Sequence, residues 1–234
     1  MCCTSSSHSL KHIHEIDRQK CLGCFKCAQA CPSGALELCG SDMSLSQIVD
    51  AVKRDLAFYG NNGGITLSGG EPFMHGEATV ELLKLCKEHG LSTVVETCGY
   101  ADTDLLKRAS EFVDLFLWDI KDTDEERHRQ FTGISNKLIL ENLKAVNSIG
   151  ARIRLRCILV NGVNTDKEHY SALARIAKEI NSFEGLEIIP YHAYGGTKSE
   201  FLGLADNGKV EWIPSEQQIL EAKQLLSAQG INVI

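Results

Sequence analysis

The chain has 234 residues, which is enough for one sizeable domain or for a large domain with a small appendage. Its hydrophobic fraction is 43% and its charged fraction 24%, both ordinary for a globular protein. The net charge of −7, without a basic stripe, argues against a nucleic-acid partner. No apolar run is long enough to span a bilayer, and residues 1–10 lack the apolar core of a secretory signal. We therefore expect a cytoplasmic protein with no membrane partner.

Cysteine is the unusual component, since the chain holds 10 cysteines and six of them lie before residue 32. Disulfides are rare in the reducing cytosol, so a dense group of cysteines there indicates metal binding. Residues 1–42 are rich in Cys, Ser and Gly and poor in large apolar side chains. Such a stretch cannot build a hydrophobic core unaided, and we predict a module held together by metal.

The densest group is Cys21, Cys24, Cys27 and Cys31, with Pro32 directly after it. The spacing C-x2-C-x2-C-x3-C-P is that of bacterial ferredoxins, in which it holds a [4Fe–4S] cluster. Zinc and reduced structural thiols are the alternatives. Zinc sites usually pair two separated C-x2-C hairpins, whereas one dense run is present here. The spacing therefore favours an iron–sulfur cluster.

The fourth cysteine of such a run often reaches a second cluster when two are present. If Cys31 did so, that cluster would need three more ligands, and Cys2, Cys3 and Cys39 do not have the spacing of a matching run. Cys2 or Cys3 instead resembles the remnant fourth ligand of an upstream run. We therefore expect an incomplete module in which Cys2 and Cys3 are further candidate ligands.

From Ser44 onward, strand patterns alternate with helix patterns. The pattern predicts a first helix with a Ser44–Gln47 capping box, a turn at 61–64 and a Gly-rich loop at 194–211. It predicts strands at 65–67, 92–96, 113–118, 152–159, 186–189 and, short, at 231–234. The further predicted helices are at 77–88, 104–110, 125–131, 136–148 and 167–179, with a last one from Ser215. Repeated strand–helix units imply a parallel sheet, either doubly wound or part of a barrel, and periodicity does not choose between the two.

Polar and reactive side chains gather where five of the predicted strands end. They are Ser68-Gly69-Gly70-Glu71, Glu96-Thr97, Asp119-Ile120-Lys121, Arg154 with Arg156, and His192. Taken singly, each has an ordinary explanation, such as a tight turn, a solvated ion pair or a loop histidine. Active sites of parallel α/β proteins form at the carboxyl ends of strands, so their joint occurrence predicts a site there. The remaining cysteines, Cys86, Cys98 and Cys157, are predicted to be buried thiols.

Six segments together resemble the glycyl-radical enzyme activating enzymes of the radical SAM superfamily, of the pyruvate formate-lyase activating enzyme type. They are the ferredoxin-type run, Thr66-Leu-Ser-Gly-Gly-Glu-Pro72, Glu96-Thr-Cys-Gly-Tyr100, Asp119-Ile-Lys121, Thr132-Gly-Ile-Ser-Asn136 and Pro190-Tyr-His192. The resemblance extends from about residue 17 to residue 234.

The resemblance implies an α/β fold, a partial (β/α)6 TIM-like barrel at 43–234, with an N-terminal ferredoxin-like [4Fe–4S] module at 1–42. It also implies a reaction in which a reduced [4Fe–4S] cluster and S-adenosylmethionine (SAM) generate a 5′-deoxyadenosyl radical. That radical takes hydrogen from a glycine of a partner glycyl-radical enzyme, and a flavodoxin or ferredoxin-type protein is the implied reductant.

Carried over by resemblance, Gly69, Gly70 and Glu71 belong to the loop that takes the methionyl amino group of SAM. Asp119, Ile120 and Lys121 match a segment that contacts SAM. Arg156 resembles a contact to the carboxylate or ribose, and His192 resembles a residue near the adenosyl end.

The family's C-x3-C-x2-C motif, which holds the SAM-binding cluster, is absent from the sequence, so no catalytic residues can be carried over. Asn161-Gly162 also stands where a Pro-Gly pair is usual. From this we expect an N-terminally truncated chain that lacks the first barrel strand and is inactive as written. An iron–sulfur electron-transfer protein and a non-catalytic fragment are the alternatives. The residues at the strand ends favour the activating enzyme, because an electron carrier has no use for Gly70, Glu71 or His192.

Overall fold

The computed structural model describes residues 8–10, 14–60, 63–202, 204 and 208–234. The chain divides into two compact units. The first consists of residues up to Met43 together with Tyr194–Gly208, and the second of Ser44–Ala193 together with Lys209–Ile234.

A five-stranded parallel sheet forms the centre of the second unit. Its strands are β3 (Gly64–Leu67), β4 (Ser92–Thr97), β5 (Leu115–Ile120), β6 (Ile153–Leu159) and β7 (Phe183–Pro190). Their spatial order follows the chain order, β3-β4-β5-β6-β7. A doubly wound sheet would reverse its order at an inner strand. The sequential order is therefore that of a barrel wall, which confirms the predicted partial barrel and resolves the alternative that periodicity left open.

Helices follow the strands at the predicted places. They are α2 (Leu45–Lys53), α3 (Glu77–Glu88), α4 (Thr103–Ser110), α5 (Glu125–Thr132), α6 (Lys137–Ser148), α7 (Lys167–Lys178) and α9 (Glu216–Ala228). Capping boxes begin both α2 and α9. In each, the N-cap serine side chain accepts from the backbone N–H of the third helical residue, a glutamine, and the glutamine side chain accepts from the backbone N–H of the serine. Short 3-10 helices lie at Leu56–Phe58, Pro72–His75 and Val210–Trp212.

The two faces of the sheet differ in chemistry. On one face Val95, Trp118 and Leu155 are completely buried in the main hydrophobic core, which also takes in apolar residues of the helices. On the other face the strands carry charged side chains such as Glu96 and Arg156, which are only partly buried. Successive side chains of a strand point to opposite faces, so one alternating pattern supplies both the core and a charged surface.

The first unit is smaller and has little regular structure in its described part. It contains the antiparallel pair β1 (His8–Leu10) and β2 (His14–Ile16), the single-turn helix α1 (Lys26–Gln29) and the helix α8 (Gly195–Phe201). The predicted loop at 194–211 is therefore wrong for α8, where two leading glycines obscured the helix. The predicted strand at 231–234 is reduced to one parallel bridge between Leu186 and Val233. The first half of the predicted turn at 61–64 lies outside the described residues.

Across the described ranges, none of the helices combines the length and the apolar character that a membrane span requires.

The backbone of Gly99, directly after β4, lies close against the ring of Trp118 in the core. Its φ is +76°, in the left-handed region, and a Cβ at this position would lie 2.0 Å from Trp118 Cζ2. Trp118 is fully buried and cannot move aside freely. The segment after β4 therefore requires glycine for two independent reasons.

Substitution Gly99→Ala should lower the free energy of unfolding by about 3 kcal/mol, because overpacking against a buried ring adds to the backbone cost of a left-handed residue. Urea unfolding followed by circular dichroism measures this. Gly133→Ala is the matched control, since Gly133 has a φ of +84° but open space around its Cβ position, and it should lose only about 1 kcal/mol. Equal losses in the two variants would show that the contact with Trp118 is unimportant.

Candidate active site

The loop after β3 is held against the end of β4 by Glu71. Thr97 Oγ1 donates to Glu71 Oε1 at 2.7 Å, and the Cys98 backbone N–H donates to Oε2 at 2.9 Å. The Cys98 thiol donates to the same Oε2 at 3.1 Å. Both oxygens of Glu71 are therefore engaged, and the carboxylate fixes the course of the loop that carries Gly69 and Gly70.

Gly69 and Gly70 are exposed at this edge of the sheet. Gly69 has a φ of +116°, and a Cβ added at either glycine would meet nothing within 4 Å. The two residues thus leave open space beside a backbone whose N–H groups a ligand can approach. Such a cradle fits the polar end of a small molecule.

Arg156 on β6 is the centre of the charged face. Its Nη1 lies 2.7 Å from Glu96 Oε1 on β4, and its Nε lies 3.5 Å from Asp119 Oδ1 on β5 and 3.8 Å from Glu187 Oε2 on β7. One guanidinium therefore faces carboxylates from three strands. The Arg156 side chain is only 16% exposed, so these charges interact with limited screening by water.

Lys121 completes the group from the end of β5. Its Nζ donates to Asp119 Oδ2 at 2.7 Å, and its backbone carbonyl accepts from Asn164 Nδ2 at 3.0 Å. Asn164 is completely buried and also bonds Ile158 O and Val160 N. This amide ties the ends of β5 and β6 together, which fixes Lys121 relative to Arg156.

Three buried side-chain atoms on this charged face have no hydrogen-bond partner in the part of the chain that the structure describes: Arg154 Nε, Asp119 Oδ1 and Arg156 Nε. The last two, an acceptor and a donor, face each other at 3.5 Å. Buried polar atoms are normally hydrogen-bonded. A ligand that carries both an ammonium and a carboxylate could satisfy both atoms, so the residues fit the amino-acid end of SAM.

The other predicted site residues have different environments. The Ile120 side chain is 2% exposed and belongs to the hydrophobic core, so only its backbone can face a ligand. His192 follows β7 with an exposed side chain. Beside it, Tyr191 packs edge-on against Trp212 with ring centroids 5.8 Å apart.

Glu187 is the residue that sequence reasoning missed. Its Oε1 accepts from Arg154 Nη1 at 3.1 Å, and its Oε2 faces Arg156. A charged residue between Leu186 and Ile188 in a predicted strand was the available signal, because it places Glu187 on the face opposite the core.

The cysteine run lies in the first unit. Cys21, Cys27 and Cys31 are partly buried and Cys24 is exposed, while Cys2 and Cys3 lie outside the described residues. Backbone N–H groups reach the sulfur atoms of Cys21 (from Gly23, 3.5 Å) and Cys31 (from Leu36, 3.4 Å). A hydrogen bond with Ser33 lowers the pKa of the Cys31 thiol to about 7. Four thiols at this spacing, two of them with amide contacts, have the donor chemistry for an iron–sulfur cluster.

In the structure the thiols of this run are not grouped around a common metal position. Among the described residues, no three His, Cys, Asp or Glu side chains come close enough together to hold a metal ion. Cluster binding by the run therefore remains a prediction.

The predicted buried thiols are confirmed for Cys86 and Cys157, whereas Cys98 is partly exposed. Burial, strengthened by Glu71, raises the pKa of Cys98 to about 11, and the nearby Lys121 ammonium opposes the shift. This links Lys121 electrostatically to the loop that follows β3. Burial alone raises the pKa of Cys86.

Cys157 forms a buried pair with His169 of α7. The Thr123 backbone N–H donates to His169 Nδ1 at 3.3 Å, so the ring proton lies on Nε2, which is 3.3 Å from the Cys157 sulfur. Burial lowers the pKa of His169 to about 4 and raises that of Cys157 to about 12. Both groups are neutral near pH 7, so the pair joins β6 to α7 and is not an activated nucleophile.

Comparison with known proteins agrees with this geometry. Residues 20–174 match the radical SAM superfamily. The choline trimethylamine-lyase activating enzyme of Oleidesulfovibrio alaskensis is 38% identical over 204 residues, which is 86% of this chain and 66% of that protein. The isethionate sulfite-lyase activating enzyme of Nitratidesulfovibrio vulgaris is 37% identical over 212 residues, 88% of this chain and 68% of that protein. The chain thus spans about two thirds of the length of these relatives.

A solved structure gives the same result. A domain of the pyruvate-formate lyase-activating enzyme from Bacteroides vulgatus superposes with a TM-score of 0.62 at 27% identity, and the match covers 74% of this chain and 98% of that one. A parallel barrel wall with charged side chains towards the carboxyl ends of its strands is the architecture of many α/β-barrel enzymes. The chain belongs to the radical SAM superfamily and, within it, to the glycyl-radical enzyme activating enzymes. The cofactors of this superfamily are a [4Fe–4S] cluster and SAM.

The buried His169 makes stability depend on pH. Its pKa is about 4 in the folded chain and 6.5 when unfolded, so the unfolded chain binds more protons between these values and stability falls as pH falls. The free energy of unfolding should be about 2 kcal/mol lower at pH 5 than at pH 7 through this group. Urea titrations at the two pH values measure it, and His169→Gln should remove most of the difference.

His89→Gln is the control, because His89 is exposed and should leave the pH dependence unchanged. A His169→Gln variant that kept the full pH dependence would show that other groups cause it.

Proposed function

We propose that these 234 residues form the SAM-binding barrel and iron–sulfur module of a glycyl-radical enzyme activating enzyme. The protein substrate is a glycyl-radical enzyme, and the reductant is a flavodoxin or ferredoxin-type protein. The observation that carries the proposal is the pair of unsatisfied atoms on Asp119 and Arg156 at the carboxyl end of the sheet. Relatives that are named activating enzymes of a lyase, a dehydratase and a decarboxylase support the protein substrate.

Different residues suit the positively and the negatively charged groups of SAM. The backbone at Gly69 and Gly70 and the free Oδ1 of Asp119 suit the methionyl ammonium, and the Arg156 guanidinium suits the carboxylate. Lys121 neutralises the other oxygen of Asp119, which keeps the site from being too acidic for an anionic group. His192, exposed after β7, suits the adenosyl end.

When bound, a reduced [4Fe–4S] cluster supplies the electron that splits SAM and so yields the 5′-deoxyadenosyl radical. The part played by this chain's described residues is to bind and orient SAM. Glu71 and Asn164 hold the two loops that flank the ligand, and the hydrophobic core behind Trp118 keeps the strands in register. Fixed orientation matters because a misplaced radical precursor would react with the wrong atom.

An iron–sulfur electron carrier is the second candidate, favoured by the ferredoxin-type run in a separate compact unit. An electron carrier needs the run but not SAM. SAM binding therefore separates the two functions.

Anaerobic reconstitution of the chain should load iron on Cys21, Cys24 and Cys27, with roughly four irons per occupied cluster and broad absorbance near ~400 nm. Cys24→Ser should lose most of the iron and absorbance, because it removes one of the three ligands. Cys39→Ser is the control, since Cys39 is equally exposed but outside the run. Stoichiometric zinc without iron would contradict the assignment.

SAM should bind to the unsubstituted chain, and Arg156→Gln should weaken binding about tenfold, because it removes a partly buried charge from the ligand carboxylate. Isothermal titration calorimetry measures both affinities. Arg152→Gln is the control, because Arg152 makes a similar ion pair with Glu184 at the amino end of the sheet.

The chain is also incubated with SAM and dithionite, and chromatography measures whether 5′-deoxyadenosine is formed. The sequence holds no C-x3-C-x2-C motif, so we expect the chain by itself to bind SAM without cleaving it. Cleavage at the rate of an activating enzyme would show instead that the cluster of the Cys21–Cys31 run is the one that meets SAM. Absence of SAM binding would favour the electron carrier.

A further inference from the structure

The two arginines of β6 share one carboxylate. Arg154 and Arg156 are two residues apart and therefore lie on the same face of the sheet. Arg154 Nη1 is 3.1 Å from Glu187 Oε1, a hydrogen bond, whereas Arg156 Nε is 3.8 Å from Glu187 Oε2 and makes no hydrogen bond to it.

The strand register makes this distribution unexpected. Arg156 is paired directly with Glu187 across β6 and β7, and Arg154 is paired with Gly185. Opposite charges at directly paired positions normally form the closest contact. Here the closest contact is diagonal, because Gly185 has no side chain to occupy Arg154 and the Arg154 guanidinium reaches towards Glu187.

The diagonal contact determines what remains available on Arg156. Glu96 takes Nη1 of Arg156 at 2.7 Å. Nε faces Asp119 Oδ1 at 3.5 Å but has no hydrogen-bond partner among the described residues. A Glu187 carboxylate released from Arg154 could move onto this Nε and form a closer ion pair. A carboxylate in that position would also repel an anionic group of a ligand.

We propose that Arg154 is a positioning residue that holds Glu187 away from Arg156 and thereby keeps the Arg156 guanidinium available to the carboxylate of SAM. This inference rests on the proposed function, because it takes Arg156 as the group that meets the ligand. Arg154 itself does not contact the ligand in this scheme, and its effect passes entirely through Glu187.

The test compares SAM affinities of purified variants by calorimetry. Arg154→Met keeps the aliphatic stem and removes the charge, and it should weaken SAM binding about fivefold, the effect of one partly exposed ion pair. The double variant Arg154→Met/Glu187→Gln should return to within about twofold of the parent, because no carboxylate is left to move onto Arg156. Arg152→Met is the matched control and should bind like the parent, because its pair with Glu184 lies at the other end of the same strands.

A second ligand separates positioning from general damage. The affinity for 5′-methylthioadenosine, which lacks the amino-acid end, should be the same for the parent and for Arg154→Met. An unchanged SAM affinity in Arg154→Met, or a double variant as weak as the single one, would overturn the proposal.

A measurement of stability without ligand tests the role of Arg154 separately from the proposed SAM binding. The coupling between Glu187→Gln and Arg156→Gln, measured from urea unfolding as a double-mutant cycle, should be larger when residue 154 is methionine than when it is arginine. If the parent fails to bind SAM but this coupling increases, the proposed function is wrong and the role of Arg154 stands. Equal coupling in both backgrounds overturns the role of Arg154 whatever the ligand result.

Discussion

The guanidinium of Arg156 on β6, which faces carboxylates on β4, β5 and β7, is the interaction around which the charged face of this sheet is organised. Glu96, Asp119 and Glu187 all face this guanidinium and would repel one another if no cation lay between them. With Arg156 among them, and with Arg154 and Lys121 paired at the edges, the six charges sum to zero. A net charge near zero allows these charged side chains to stay partly buried. The atoms without hydrogen-bond partners, Asp119 Oδ1 and Arg156 Nε, are those to which the proposed zwitterionic ligand would bind.

Behind that face, buried side-chain amides hold the loops in place. Asn164 bonds the ends of β5 and β6, and Asn142 bonds the backbone carbonyls of Gly99 and Ala101 after β4. Each amide satisfies several backbone groups that would otherwise be buried without partners. Loops at the carboxyl end of the sheet are therefore held by side chains of the protein itself.

Much of the fold was predictable because its signals are local. The strands and helices of the second unit follow from periodicity, and the serine caps follow from residue types that bond their own helix. Glu187 was missed because its importance depends on register, which places it beside Arg156 through a pairing that no local pattern contains. Helix α8 was missed because its first residues, Gly195 and Gly196, have low helix propensity. The residues carried over by resemblance remain predictions for SAM, and the structure adds which of their atoms have no hydrogen-bond partner.

The hydrogen bond from the Cys98 thiol to Glu71 has a consequence for chemical reactivity. A thiol whose pKa is about 11 is almost entirely protonated near neutral pH, and Cys157, with a pKa of about 12, is more so. Cys31, with a pKa of about 7, is about half thiolate under the same conditions. Oxidants and alkylating reagents attack thiolates, so they should react with Cys31 before they react with Cys98 or Cys157. Exposure to oxygen would therefore modify Cys31, a predicted cluster ligand, before it reaches these two thiols of the barrel.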